Sequence, residues 1–159
     1  MPYQAVILTV SDSCAAGTRT DTSGPAIRGM LENAGFAVQA MQTVPDEEGQ
    51  ISAAIVHACD ILQADLVVTT GGTGLSPRDV TPEATLAVLD REIRAIPVAM
   101  WVEGLKSTPR AMLSRAVAGT RGHTLVLNVP GSEKAARENL GAVVATLDHA
   151  LRMLAGGGH

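Results

Sequence analysis

Gly71, Gly72 and Gly74 follow the run LVVTT (66–70) and precede the pair Arg78-Asp79. Glycines at that density allow positive φ and leave no Cβ to hold an anion away from backbone N–H groups, so Gly71, Gly72, Thr73 and Gly74 suit a phosphate. A carboxylate close to a phosphate is repulsive unless a hard cation lies between them. Mg²⁺ commonly takes one or two carboxylates plus phosphate oxygens. Asp79 is one candidate ligand and Asp46, which follows Pro45, is the second. Each also has a structural reading. Asp79 could complement a helix dipole beside the cap Thr81, and Asp46 could cap the helix that carries Ile51. Ser11, Asp12 and Ser13 add a polar triplet, Gly131 and Ser132 a second glycine turn, and Arg78 a cation that either stabilises charge or contacts solvent or another subunit.

These groups can converge only if the chain brings their loops to one edge. YQAVILTV (3–10), FAVQAMQTV (36–44) and ADLVVTT (64–70) read as strands. Helices follow each: one from Pro25 with Ala26, Ile27, Met30 and Leu31 on one stripe, one carrying Ile51, Ala54, Ile55 and Ala58, and one opening at Thr81-Pro82-Glu83. A further helix from Pro97 carries Met100, Trp101 and Leu105. AVAG (116–119) and HTLVLNV (123–129) form a hairpin around Arg121-Gly122, and Ser132 caps a last helix through Val143, Leu147 and Leu151. The expected fold is α/β: a three-layer, mostly parallel sheet with helices on both faces and an antiparallel edge hairpin. Residues 1–159 read as one domain with a frayed tail at 155–159. In such sheets ligands bind beyond the carboxyl ends of the strands, where all four candidate loops fall.

Composition excludes several classes. The net charge is −4, and the 12 basic residues form no stripe; with aromatics at 2%, a nucleic-acid partner is not expected. No apolar run approaches membrane-spanning length and no signal-peptide pattern opens the chain, so no membrane partner is expected and a cytoplasmic location is. Cys14 and Cys59 read as reduced thiols. The loop lacks the lysine of a P-loop, G-x-G-x-x-G fails after Gly74, and neither a G-x-S-x-G elbow nor zinc-ligand spacing occurs.

TTGGTGLSPRDVTPEA, taken in order with ILTVSDS, DTSGPAI, VPDE, MLSRAVAG and NVPGS, resembles the molybdopterin adenylyltransferases of molybdenum-cofactor biosynthesis from about Tyr3 to Leu154. The resemblance implies a homotrimer that takes MgATP and molybdopterin as substrates, transfers AMP to the terminal phosphate of molybdopterin and releases pyrophosphate. It places the family's essential acids at Asp46 and Asp79, the nucleotide phosphates at the glycine loop, and other parts of the pocket at SDS and PGS. A molybdenum-insertion protein is a candidate partner. The alternative is a non-catalytic molybdopterin-binding or trimeric scaffold protein of the MoaB branch, which the intact Arg78-Asp79-Val80-Thr81-Pro82 run disfavours.

Overall fold

The computed structural model describes residues 1–158. Six strands form one sheet in the order β2-β1-β3-β6-β5-β4. β1 (Gln4–Val10), β2 (Ala37–Val44), β3 (Leu66–Thr70) and β6 (Thr124–Val129) are mutually parallel, and β5 (Ala118–Arg121) and β4 (Arg91–Glu92) complete an antiparallel edge. The expected mixed sheet is present. β5 begins two residues later than the AVAG reading, and the two-residue β4 carried no apolar pattern from which to read it.

Alternation along β1 shows why both faces are covered. Ala5 and Ile7 point into a layer with Ile27 and Leu31 of α2 (Ser23–Asn33), Met100 of α5 (Ala95–Leu105) and Leu140 and Leu147 of α6 (Glu133–Leu154). Val6, Leu8 and Val10 point the other way, against Ile51, Ala54 and Ile55 of α3 (Glu48–Val56) and Ala84 of α4 (Thr81–Leu86). A strand buried on both sides carries consecutive apolar residues instead of an alternation, as Ala5 to Leu8 of β1 and Leu66 to Val68 of β3 do. α6 holds its place through Ala136, Leu140, Val143, Leu147 and Leu151, a stripe at spacings of three and four. Among the described residues no helix is long and apolar enough to cross a membrane.

Two starts differ from the sequence reading. Thr81 is the first residue of α4, not its cap; Val80 precedes it with no side-chain cap bond. Asp46 caps nothing, since Glu47 occupies the cap position of α3. Ser132 does cap α6, accepting from the Ala135 N–H at 3.2 Å. A one-turn helix α1 (Asp12–Ala15), a π-turn at His57–Ile61 and a 3₁₀ segment at Pro109–Leu113 had no distinct sequence signal. Tyr3 shares a surface depression with His149, Arg152 and Gly157, so the two described ends of the chain meet at the sheet edge where β1 begins. The expected frayed tail includes His159, which lies outside the described residues.

Candidate active site

β1 and β3 are neighbours whose connections leave in opposite directions, to β2 on one side and towards β6 on the other. The crevice beyond their carboxyl ends is the topological switch point of the sheet. There a cavity of about 340 Å³ is lined by Thr9, Ser11, Asp21, Asp46, Gly72 and Asp79, among others. A second, of about 550 Å³, lies between the glycine loop, the 3₁₀ segment and the start of α6; it includes Thr73, Gly74, Arg110, Ser114 and Asn139. Gly72, Asp79, Gly131 and Ser132 line both. The two cavities therefore share one wall, with the candidate carboxylate Asp79 in it.

The glycine loop is held by buried threonines. Gly71 and Gly72 have φ of +101° and +70°, and a Cβ on Gly71 would strike the Val10 carbonyl. The Thr81 hydroxyl donates to the Gly71 carbonyl at 2.9 Å and the Thr81 N–H to the Gly72 carbonyl at 3.1 Å. Thr85 donates to the Thr81 carbonyl, and Asn128 donates to both Thr69 and Thr85. Asn128, Thr81 and Thr85 are each fully buried. A buried polar chain in which every member is bonded fixes geometry, because breaking one link strands the others.

Asp46 and Asp12 exchange bonds: the Asp12 N–H donates to Asp46 Oδ2 and the Asp46 N–H to Asp12 Oδ1, both at 2.9 Å. Arg78 then grips Asp12 through two donors at 3.0 Å and reaches Glu47 at 2.9 Å. The guanidinium holds the Asp12 carboxyl below its usual range. Arg78 and Asp12 thus tie the loops after β1, β2 and β3 together, whereas Ser13 bonds only within the loop after β1, to Ser11, Thr18 and Arg19; none of the three lines either cavity. The other proposed residues, Ser11, Gly71 to Gly74, Gly131 and Ser132 with the two acids, do line one or both.

Burial pushes the Asp46 carboxyl up, and the negative charges of Asp12 and Asp79 add to that, against the Asp12 N–H bond that lowers it. A carboxyl raised on folding favours the folded state below its unfolded pKa, and that benefit is lost as pH rises through the folded value. Asp46→Asn keeps an acceptor for Asp12. The expected result is a higher thermal midpoint than native near pH 7, with the difference vanishing at about pH 3, where both forms are neutral. Calorimetry at the two pH values checks this; a lower midpoint near pH 7 would show that the ionised form is the stabilising one.

Several site residues carried no readable motif. Asp21 accepts from the Thr9 hydroxyl at 2.7 Å and from the Gly24 N–H at 3.0 Å, setting the start of α2 beside the first cavity. Arg19 lines that cavity and Arg110 the second, and among the described residues neither guanidinium has an ion-pair partner. Glu83, in the first turn of α4, pairs with Arg115 at 2.7 Å. A basic residue isolated in a polar loop gives no local sign of what it will meet.

Among the described residues no three His, Cys, Asp or Glu side chains form a self-sufficient metal cluster. The donor set is instead two carboxylates, Asp46 and Asp79, on one cavity, which suits a cation completed by ligand oxygens.

The fold and its paired cavities define a doubly wound α/β ligand-binding domain. Residues 6–149 match the family model described as "Probable molybdopterin binding domain", and the chain belongs to that family. It is 37% identical over 154 residues to the "Molybdopterin adenylyltransferase" of Helicobacter pylori strain J99, covering 94% of this chain and 86% of that one. It is 40% identical to the "Molybdenum cofactor synthesis protein cinnamon" of Drosophila melanogaster, over 93% of this chain but only 25% of that protein. It spans 22% of Dictyostelium discoideum gephyrin and 50% of a bifunctional protein of Chlorobaculum tepidum. Among solved structures, the molybdopterin biosynthesis enzyme MoaB of Thermus thermophilus superposes with a TM-score of 0.92 at 49% identity, covering 97% of each chain.

Proposed function

We propose that this protein adenylylates molybdopterin in molybdenum-cofactor biosynthesis. The observation that carries the reading is the shared wall: two cavities of substrate size meet at Gly72, Asp79, Gly131 and Ser132, as joining two phosphate-bearing molecules requires. A terminal phosphate oxygen of molybdopterin attacks the α-phosphorus of ATP, the bond from that phosphorus to the bridging oxygen breaks, and pyrophosphate leaves. No protein nucleophile takes part. The chain's task is alignment and relief of like-charge repulsion. The glycine-loop N–H groups and the α6 N-terminus receive phosphate oxygens, and Arg19 and Arg110 supply one cation to each cavity. Asp46 and Asp79 would hold Mg²⁺, which when bound neutralises phosphate charge and polarises the phosphoryl group. The test is transfer of label from α-³²P-ATP to molybdopterin by the purified protein. Label in an adenylylated pterin supports the reading, and none with folded protein, Mg²⁺ and authentic substrate ends it.

The likeness to a protein named MoaB favours a second reading, a non-catalytic binding or scaffold protein. The co-located acids and the constrained glycine loop favour the transferase. A cytoplasmic location and a molybdenum-insertion protein as recipient of the product belong to the same proposal.

Assembly into a homotrimer fits the surface of α5. Met100 is core, whereas Val98, Val102 and Leu105 are exposed at 48%, 57% and 44%, and Met112 and Leu113 of the neighbouring 3₁₀ segment extend the apolar area. Sedimentation at micromolar concentration should give three times the chain mass, and Val102→Glu should shift it towards the monomer. A native monomer would remove the assembly from the proposal.

A further inference from the structure

Arg115 lies between the 3₁₀ segment and β5 and lines neither cavity, yet its bonds converge on the wall between them. Its Nε donates to the Gly74 carbonyl at 2.8 Å and one terminal nitrogen donates to the Asp79 carbonyl at 2.8 Å. The other nitrogen donates to both Glu83 oxygens, at 2.7 and 3.0 Å, and the Arg115 N–H donates to the Thr73 carbonyl at 2.8 Å. Between Gly74 and Asp79 the chain makes an exposed excursion. The Asp79 N–H donates to the Ser76 carbonyl, and the Asp79 carboxylate accepts from the Ser76 N–H. Both of those bonds are internal to the excursion and would move with it. The guanidinium joins its two ends from outside.

We propose that Arg115 is a positioning residue for AMP transfer: its planar fork closes the neck of the Gly74–Asp79 loop and fixes the Asp79 carboxylate in the wall both cavities share. The proposal rests on the adenylyltransferase reading for its kinetic consequence, but not for its structural one. Glu83 orients the fork, which gives the acid of the TPEA stretch a purpose beyond helix polarity. Lysine could keep the charge opposite Glu83, but it lacks a planar fork that spans two carbonyls.

Arg115→Ala, Arg115→Lys and Glu83→Ala are compared with the native protein in two measurements. The first is AMP transfer. Displacing a catalytic group by about 1 Å costs on the order of 100-fold in rate, so Arg115→Ala should lose about that much in kcat while molybdopterin affinity stays near native. Arg115→Lys should lose less, and Glu83→Ala least, since it leaves both carbonyl bonds. Added guanidinium ion should restore part of the Arg115→Ala rate and none of the Asp79→Asn rate. The second is amide hydrogen exchange in the unliganded protein, read by mass spectrometry. Residues 71–80 should exchange faster in Arg115→Ala while β1 and β3 keep native protection; Arg115→Lys supplies the same reading if the alanine variant fails to fold. A native kcat in Arg115→Ala, or unchanged exchange across 71–80 in the variants, overturns the proposal. If the native protein itself transfers no AMP, the enzyme reading has failed, and the exchange measurement alone decides whether Arg115 holds the Asp79 loop.

Discussion

Asp79→Asn is expected to slow AMP transfer by roughly 100- to 1,000-fold, the range found when one preorganised group facing a charged transition state is removed. The substitution isolates charge. Asparagine keeps the size of aspartate and keeps an oxygen for the Ser76 N–H, which the carboxylate accepts at 3.0 Å. The Arg115 bond to the Asp79 carbonyl is untouched. What disappears is the negative charge, leaving Asp46 as the only one of the two paired acids to hold a cation against the phosphates. The thermal midpoint should move little, since an acid near a helix start typically contributes about 0.3–1 kcal/mol. Pterin affinity should persist. Raising Mg²⁺ should recover part of the lost rate if the carboxylate serves the metal. Rate, midpoint and pterin affinity measured on one preparation decide the matter: a near-native rate would leave Asp79 an ordinary loop acid.

Gly72→Val should abolish nucleotide binding and also destabilise the protein. Gly72 has φ +70°, which costs a β-branched residue about 1–3 kcal/mol. Its new Cβ would also press on the Thr81 hydroxyl and come within 3.1 Å of Asp46 Oδ1. The first contact disturbs the bond that holds the Gly71 carbonyl; the second pushes on a proposed metal ligand. In a chain of this length, that strain corresponds to a midpoint lowered by about 2–12 °C. Gly122→Val is the control. Gly122 also has positive φ, at +58°, but a Cβ there meets nothing within 4 Å, and the turn it occupies lies away from both cavities. Both variants should lose stability; only Gly72→Val should lose ATP in a calorimetric titration. Equal affinities in the two would reduce Gly72 to a turn residue.

The strands were legible because both faces of β1 and β3 are buried, which writes an apolar run into the sequence. The start of α6 was legible because Ser132 caps locally, through an N–H three residues away. The glycine loop announced itself by composition alone. Thr81 was legible as a helix start and misread as a cap, because whether its hydroxyl turns to its own helix or to the Gly71 carbonyl depends on a loop ten residues back. Arg115 stands 36 residues from the Asp79 carbonyl that it binds, and Arg78 stands 66 from Asp12. Bonds of that span are created by strand order. Periodicity reports which side of an element is apolar, not which distant carbonyl a guanidinium will find.

The two described ends of the chain meet beside Tyr3 and Gly157, where the strands begin, while the cavities open where the strands finish. α6 explains the separation: its 22 residues start at Glu133, directly after the cap Ser132 in the site, and run the full depth of the sheet away from it, about 33 Å at 1.5 Å per residue. Modularity follows. A polypeptide joined at either end emerges on the far side from the reaction, so the unit can be embedded in a longer architecture without obstructing substrate entry. The adjacency also makes the molecule a candidate for circular permutation. A short Gly/Ser linker from Gly158 to Met1, with new ends cut in the exposed turn at Gly122-His123, should yield a folded protein whose cavities are unchanged.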